Sequence, residues 1–250
     1  MALYKTSNPA LSTKTFDSFS NSYGSNGDVM TLQGTVNKTA ILLVLVMLPA
    51  FAVWNLFYSG NTGMMFPLML LGAIGGFICS IILIFKKEWA PILAPAYAIL
   101  EGLFVGAISA FYNSLYEGMV MQAILLTFGI LAGLLFLYKT RVIKVTENFK
   151  MIVASATMGI AITYGISMLL RMFGMEVPLI HSNGIVGIGF SLICVATAAA
   201  NLVMDFDFIE EGADRNAPKY MEWYGAFGLM VTLIWLYIEI LRLLSKLRSK

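Results

Sequence analysis

The sequence predicts an all-α polytopic membrane protein, and three observations carry that expectation. Of 250 residues, 59% are hydrophobic and only 12% charged, about half the charged fraction of a soluble domain; mean hydropathy is +0.81. Runs of ~20 mostly apolar residues, the length a helix needs to cross a bilayer, recur along the chain. The Lys and Arg residues between those runs fall mainly on alternate connections. The bilayer is therefore the expected partner. A net charge of +2 gives no support to nucleic-acid binding, because placement of charge matters more here than its sum.

In chain order, residues 1–35 are rich in Ser, Thr, Asn and Gly without apolar periodicity. They read as a flexible cytoplasmic tail rather than a cleavable signal, since no apolar core follows Met1 within reach. Residues 36–250 form the transmembrane domain. Its spans are expected at Lys38–Phe57, Met64–Phe85, Ala90–Phe111, Met119–Tyr138, Met151–Phe173, Gly184–Ile209 and Glu222–Leu244. Pro91 and Pro95 fall in the first turns of the third span, and a basic connector, Lys139–Lys150, separates the fourth from the fifth.

With the N-terminus inside, Lys38, Lys86, Lys87, Lys139, Arg141, Lys144, Lys150, Arg215 and Lys219 face the cytoplasm and Arg171 faces out, as the positive-inside rule prefers. Seven spans put Arg242, Lys246, Arg248 and Lys250 outside. Either earlier helices set the topology or one late segment is re-entrant; seven complete spans are the expectation. Gly72, Gly75, Gly76, Gly102, Gly106, Gly184, Gly187 and Gly189 are candidates for close helix contact.

Chemistry concentrates at Asn201–Gly212, NLVMDFDFIEEG, where an apolar run meets carboxylates. An unpaired charge in hydrocarbon costs at least ~3 kcal/mol. Residues two apart on a helix point roughly 200° apart, so Asp205 and Asp207 cannot share a role. Asp207 joins Glu210, Glu211 and Asp214 on a wet, outward-leaving face. Asp205 continues the small and polar stripe Cys194, Thr197, Asn201 into the bundle. Glu101 lies ~11 residues into the third span, about 16 Å from its inner end, and must face protein or water. The last span carries a stripe of its own, Gly225, Gly228, Thr232 and Glu239, with Arg242 three residues beyond Glu239. The candidate pH-sensing or ion-pathway residues are thus Asp205, Glu101, Thr232, Glu239, Asp207 and Asn201. Depth makes Thr232 the nearer partner for Asp205.

Enzyme chemistry finds no footing. There is no Ser/His or Cys/His set, no phosphate-binding glycine loop, and Gly187-Ile188-Gly189-Phe190 lacks the aspartate of a GxGD protease. Cys79 and Cys194 read as buried thiols packing as small hydrophobes. The lone His181, in a loop, is a poor metal ligand. No catalytic residue, cofactor or resident metal is expected; transient calcium is the one ion implied below.

The segment LVMDFDFIEEGADRNAPKYMEWYGAFGLMVTLIWLYIEILRLLSKL resembles the Bax inhibitor-1 (transmembrane Bax-inhibitor-motif) family, and within it the bacterial YccA-like branch, with a DFDxIxxG segment before an EWY…LYxEILRLL helix. Asn8-Pro9-Ala10-Leu11, Thr15-Phe16 and Glu101-Gly102 extend the resemblance over essentially the whole chain. The resemblance implies six helices surrounding a central C-terminal one in a bacterial inner membrane. It also implies a pH-modulated calcium or proton-responsive leak gated by two facing aspartates. Asp205 matches the first; aligning the Ile-Leu-Arg ending puts Thr232 at the second, and aligning the LYxD-like string puts Glu239 there. A second function is open: a membrane interaction protein that regulates another complex such as a protease, through the tail and the basic connector. A small-solute transporter would need an inverted repeat with interrupted helices, and no convincing repeat is visible.

Overall fold

The computed structural model describes residues 29–60, 62–175, 182 and 184–249. His181, Lys250 and the Asn8–Leu11 and Thr15-Phe16 segments lie outside them, as does most of the tail expected at 1–35. Seven helices account for the apolar runs: α1 Leu32–Tyr58, α2 Met65–Phe85, α3 Ala90–Leu115, α4 Met119–Lys139, α5 Glu147–Met172, α6 Ile185–Asp214 and α7 Met221–Arg248. Each is long and apolar enough to cross a membrane, so the chain is an all-α polytopic membrane protein, as expected. α7 is the most enclosed: 56% of its most apolar stretch is buried, against 17–39% in the other six.

The helices outrun the apolar spans where local chemistry carries them on. α1 starts at Leu32 because Thr31, in extended geometry, accepts a hydrogen bond from Gly34 N at 3.0 Å, an N-cap that satisfies one of the orphan donors of the first turn. Thr146 does the same for α5 through Phe149 N at 3.2 Å, so the last four residues of the basic connector are helical. Arg141, at φ 58°, turns the chain between α4 and α5. Pro91 sits in the first turn of α3, where its missing N–H costs nothing. α7 continues to Arg248; Arg242, Lys246 and Arg248 are therefore helical residues and not a tail.

The described chain divides into two compact units. One holds α1–α3 with Asp205–Val231; the other holds Gly118–Met204 with 232–249. In the α1–α3 unit, glycine lets backbones touch. A Cβ on Gly106 would stand 2.5 Å from Ala50 O and 2.7 Å from Ala50 Cα; one on Gly102 would strike Val46 O and lie 2.8 Å from Pro49 Cγ. A Cβ on Gly72 would stand 2.5 Å from Leu100 O and 2.8 Å from Phe104 N, and one on Gly75 2.9 Å from the Leu100 side chain. Two glycine pairs spaced by four, Gly72/Gly76 and Gly102/Gly106, thus knit α2 and α1 onto α3, where packing rather than the hydrophobic effect must hold helices together. An aromatic group closes this unit: Tyr97 packs edge-on to Phe227 at 4.9 Å, and Phe208, Tyr224 and Phe227 follow at 6.1 and 6.2 Å.

The α6 glycines behave otherwise. A Cβ on Gly187 would strike the carbonyl of Ser182 in the preceding loop, and among the described residues nothing stands within 4 Å of one on Gly189. The close backbone approach of another helix expected there is therefore not made among the described residues; Gly187 accommodates its own loop.

The glycine contacts predict a sharp contrast. Gly102→Ala or Gly106→Ala should lower thermal stability in detergent by about 1–3 kcal/mol, the scale of overpacking. Gly129→Ala and Gly133→Ala, on exposed positions of α4 with nothing within 4 Å, should be neutral or stabilising. A melting series on the four variants checks this.

Candidate functional site

Buried charge gathers in each unit, and in each a carboxylate of α7 is at its centre. In the α1–α3 unit this is Glu222, in the first turn of α7 and 0% exposed. Its Oε1 accepts from Thr31 N at 2.9 Å and Thr31 Oγ1 at 2.8 Å. Lys38 bonds its Oε2, and Lys219 stands 3.2 Å from Oε1. Gly34 is the space for it, since any Cβ there would collide with the carboxylate. Glu222 thus caps the N-terminus of α1, where partial positive charge from the helix favours an anion, while two ammonium groups neutralise it. Met30 N bonds Ala217 O at 2.7 Å beside an antiparallel bridge from Val29 to Pro218, which ties the chain before α1 to the α6–α7 loop.

Asp205 is 4% exposed in the same unit. Across from it on α7 is Gly228: a Cβ built there would lie 4.0 Å from Asp205 Oδ1. Further along α6 the carboxylates emerge by steps. Asp207, Glu210 and Glu211 are half-buried and Asp214 is exposed, with Glu211 paired to Arg215 at 2.6 Å. Glu101 is half-buried on α3 and lies over α2, where a Cβ on Gly76 would come within 2.7 Å of its Oε1. Gly76 therefore makes room for this carboxylate as Gly34 does for Glu222.

In the α4–α5 unit the centre is Glu239, 1% exposed. Arg242 bonds its Oε1 at 2.8 Å, Tyr164 of α5 donates at 3.0 and 3.2 Å, and Trp235 Nε1 donates at 3.3 Å. Arg242 also bonds the Tyr164 hydroxyl and lies 4.8 Å over its ring, and Cys194 Sγ is 3.6 Å from the same hydroxyl. One turn on, Lys246 is 5% exposed and donates to Gly187 O and Ser191 Oγ, both at 2.9 Å. Arg248 reaches Gln122 at 2.9 Å. Asn201, buried, donates to Thr157 Oγ1 at 2.8 Å and to Thr197 O at 2.9 Å, which joins α6 to α5. Thr232 is buried as well.

Asp205, Glu101 and Asp207 therefore belong to the α1–α3 unit, and Asn201, Thr232 and Glu239 to the other. Sequence reasoning missed Glu222, Tyr164 and Lys246. Glu222 stood in the EWY string without a role, and its partners Lys38 and Thr31 are 184 and 191 residues away. Tyr164 is 75 residues from Glu239. A helical continuation of the 239, 242, 246 spacing was the available signal for Lys246.

Seven apolar helices with charged groups enclosed in each unit define a multi-pass membrane protein; among the described residues no group of three or more His, Cys, Asp or Glu could hold a metal ion. The family model described as Bax inhibitor 1 like matches residues 8–249, and the chain belongs to that family. Neither the curated proteins nor the solved structures searched contain a match.

The Glu239 site predicts strong non-additivity. Arg242→Leu leaves a buried carboxylate without its cation and should destabilise the protein by about 3–5 kcal/mol. Adding Glu239→Gln should recover a large part of that loss. Denaturation in detergent of both variants, with Glu239→Gln alone to complete the cycle, measures the coupling; additive losses would show that the pair is not held as described.

Proposed function

We propose that this protein is a pH-modulated cation leak of the calcium-conducting kind. It would act in a bacterial inner membrane with its N-terminus cytoplasmic, as a member of the YccA-like branch. The observation that carries the proposal is Asp205, a carboxylate 4% exposed inside an apolar helix and standing over a residue of α7 that has no side chain. A charge in such a place costs free energy that its surroundings must return. The contacts that stabilise ionised Asp205 favour one arrangement of α6 and α7; protonation weakens that preference and shifts the population toward the other. Glu101, half-buried at mid-helix against Gly76, is the further group of the path, able to hold a cation or a proton in transit. Asp207, on the emerging face of α6, marks the hydrated end.

The test is calcium flux into liposomes across a pH series. Wild type should change flux with pH, Asp205→Asn should give a flat profile, and Asp207→Asn should keep the wild-type shape. Identical profiles for wild type and Asp205→Asn would remove the mechanism.

A further inference from the structure

Near the end of α5 a cavity of about 390 Å³ is lined by Tyr164, Ser167, Met168, Arg171 and Met172. Ser167 is 4% exposed, yet among the described residues its hydroxyl has no hydrogen-bond partner. The other buried or part-buried hydroxyls of this region do not share that condition: Thr157 and Thr163 return their protons to Val153 O at 2.8 Å and Gly159 O at 2.7 Å. A buried hydroxyl without a partner costs free energy unless something outside the chain supplies an acceptor. Beside it, Arg171 is exposed, one turn along the same face. Tyr164, two turns back from Arg171, carries the Arg242 guanidinium on its hydroxyl and over its ring. The Tyr164 hydroxyl is itself engaged, donating to Glu239 and accepting from Arg242, so the groups the cavity offers a ligand are the Ser167 hydroxyl and the Arg171 guanidinium.

The flanks are apolar and face outward. Met168 is 69% and Met172 75% exposed, and Ile166 and Leu169 beside them are also exposed. On a membrane-crossing helix such a surface meets acyl chains. The cavity thus combines hydrogen-bond donors and a guanidinium with an apolar approach at the end of a span, where lipid headgroups lie. We propose that this cavity binds the headgroup phosphodiester of an anionic phospholipid, with Arg171 and the Ser167 hydroxyl on the phosphate oxygens and an acyl chain along Met168 and Met172. Guanidinium suits phosphate because its N–H fork can donate two parallel bonds. Arg171, in the last turn of α5, gains in this role a partner of opposite sign.

Purified full-length protein in a neutral detergent, titrated with phosphatidylglycerol, phosphatidylcholine or inorganic phosphate and followed by thermal melting, tests the proposal. Phosphatidylglycerol should raise the melting temperature, while phosphatidylcholine at equal concentration and inorganic phosphate should not. Arg171→Gln should weaken half-saturation by phosphatidylglycerol roughly tenfold or more, the loss of a charge-assisted bond. Ser167→Ala should also weaken it, and without lipid should melt at or above the wild-type temperature, because it removes an unsatisfied buried hydroxyl. Lys144→Gln, on the connector at the other end of α5, should respond as wild type does. Equal shifts from the two lipids, or an unchanged phosphatidylglycerol response in Arg171→Gln, would overturn the proposal. A shift reproduced by inorganic phosphate would overturn a lipid as the source of the anion.

Discussion

A carboxylate enclosed in an apolar helix must be neutralised where it stands, and α7 carries two of them, ~25 Å apart along the helix at the α-helical rise. Glu222 is met by Lys38, Lys219 and both polar groups of Thr31, and Glu239 by Arg242, Tyr164 and Trp235. Each carboxylate therefore draws partners from helices or loops distant in sequence to the same point. Because removing one member of such a set strands a charge, these two places fix the packing partners of α7 more strictly than its Leu and Ile side chains can. Apolar contacts alone would tolerate rotation about the helix axis, since lipid is as apolar as the neighbouring helix. That α7 is the most enclosed of the seven fits a helix with obligations at both ends.

Glycine has a second use here that follows from the same constraint. Gly34 and Gly76 each stand where a Cβ would collide with a carboxylate, of Glu222 and Glu101 in turn, whereas a Cβ on Gly228 would rest in ordinary contact 4.0 Å from Asp205. Gly72, Gly102 and Gly106 instead admit neighbouring backbone. The first group makes space for polar chemistry and the second for helix contact. Both follow from the absence of a side chain, and only the neighbours distinguish them.

That distinction explains what could be read in advance. The seven helices were legible because an apolar run of fixed length is a local property of the chain. Their ends were not: Thr31 and Thr146 extend α1 and α5 through caps that hydropathy does not register, and Arg242 to Arg248 continue α7 through charge that the bundle absorbs. Asp205 and Glu101 could be singled out as acids in apolar runs. The Glu222 clamp could not, because its members are ordinary flanking residues until folding brings positions 31, 38, 219 and 222 together. The glycines of α6 mislead for a related reason. Spacing alone cannot tell a glycine that faces a helix from one that faces its own loop.

The arrangement around Glu239 also bears on how a proton could act in the proposed leak. Two nearby acids share their protons and titrate in two coupled steps. The resemblance left Glu239 and Thr232 as alternatives for the second acid. Glu239 already has a guanidinium 2.8 Å from one oxygen and a phenol hydroxyl within 3.2 Å of both, so both of its oxygens are engaged. Thr232 does not titrate in the range of a carboxylate. Glu239 is thus engaged with partners inside its own unit, and Asp205 faces Gly228 in the other. In the proposed leak the switch is then Asp205 with its surroundings, and Glu101 is the further group of the path.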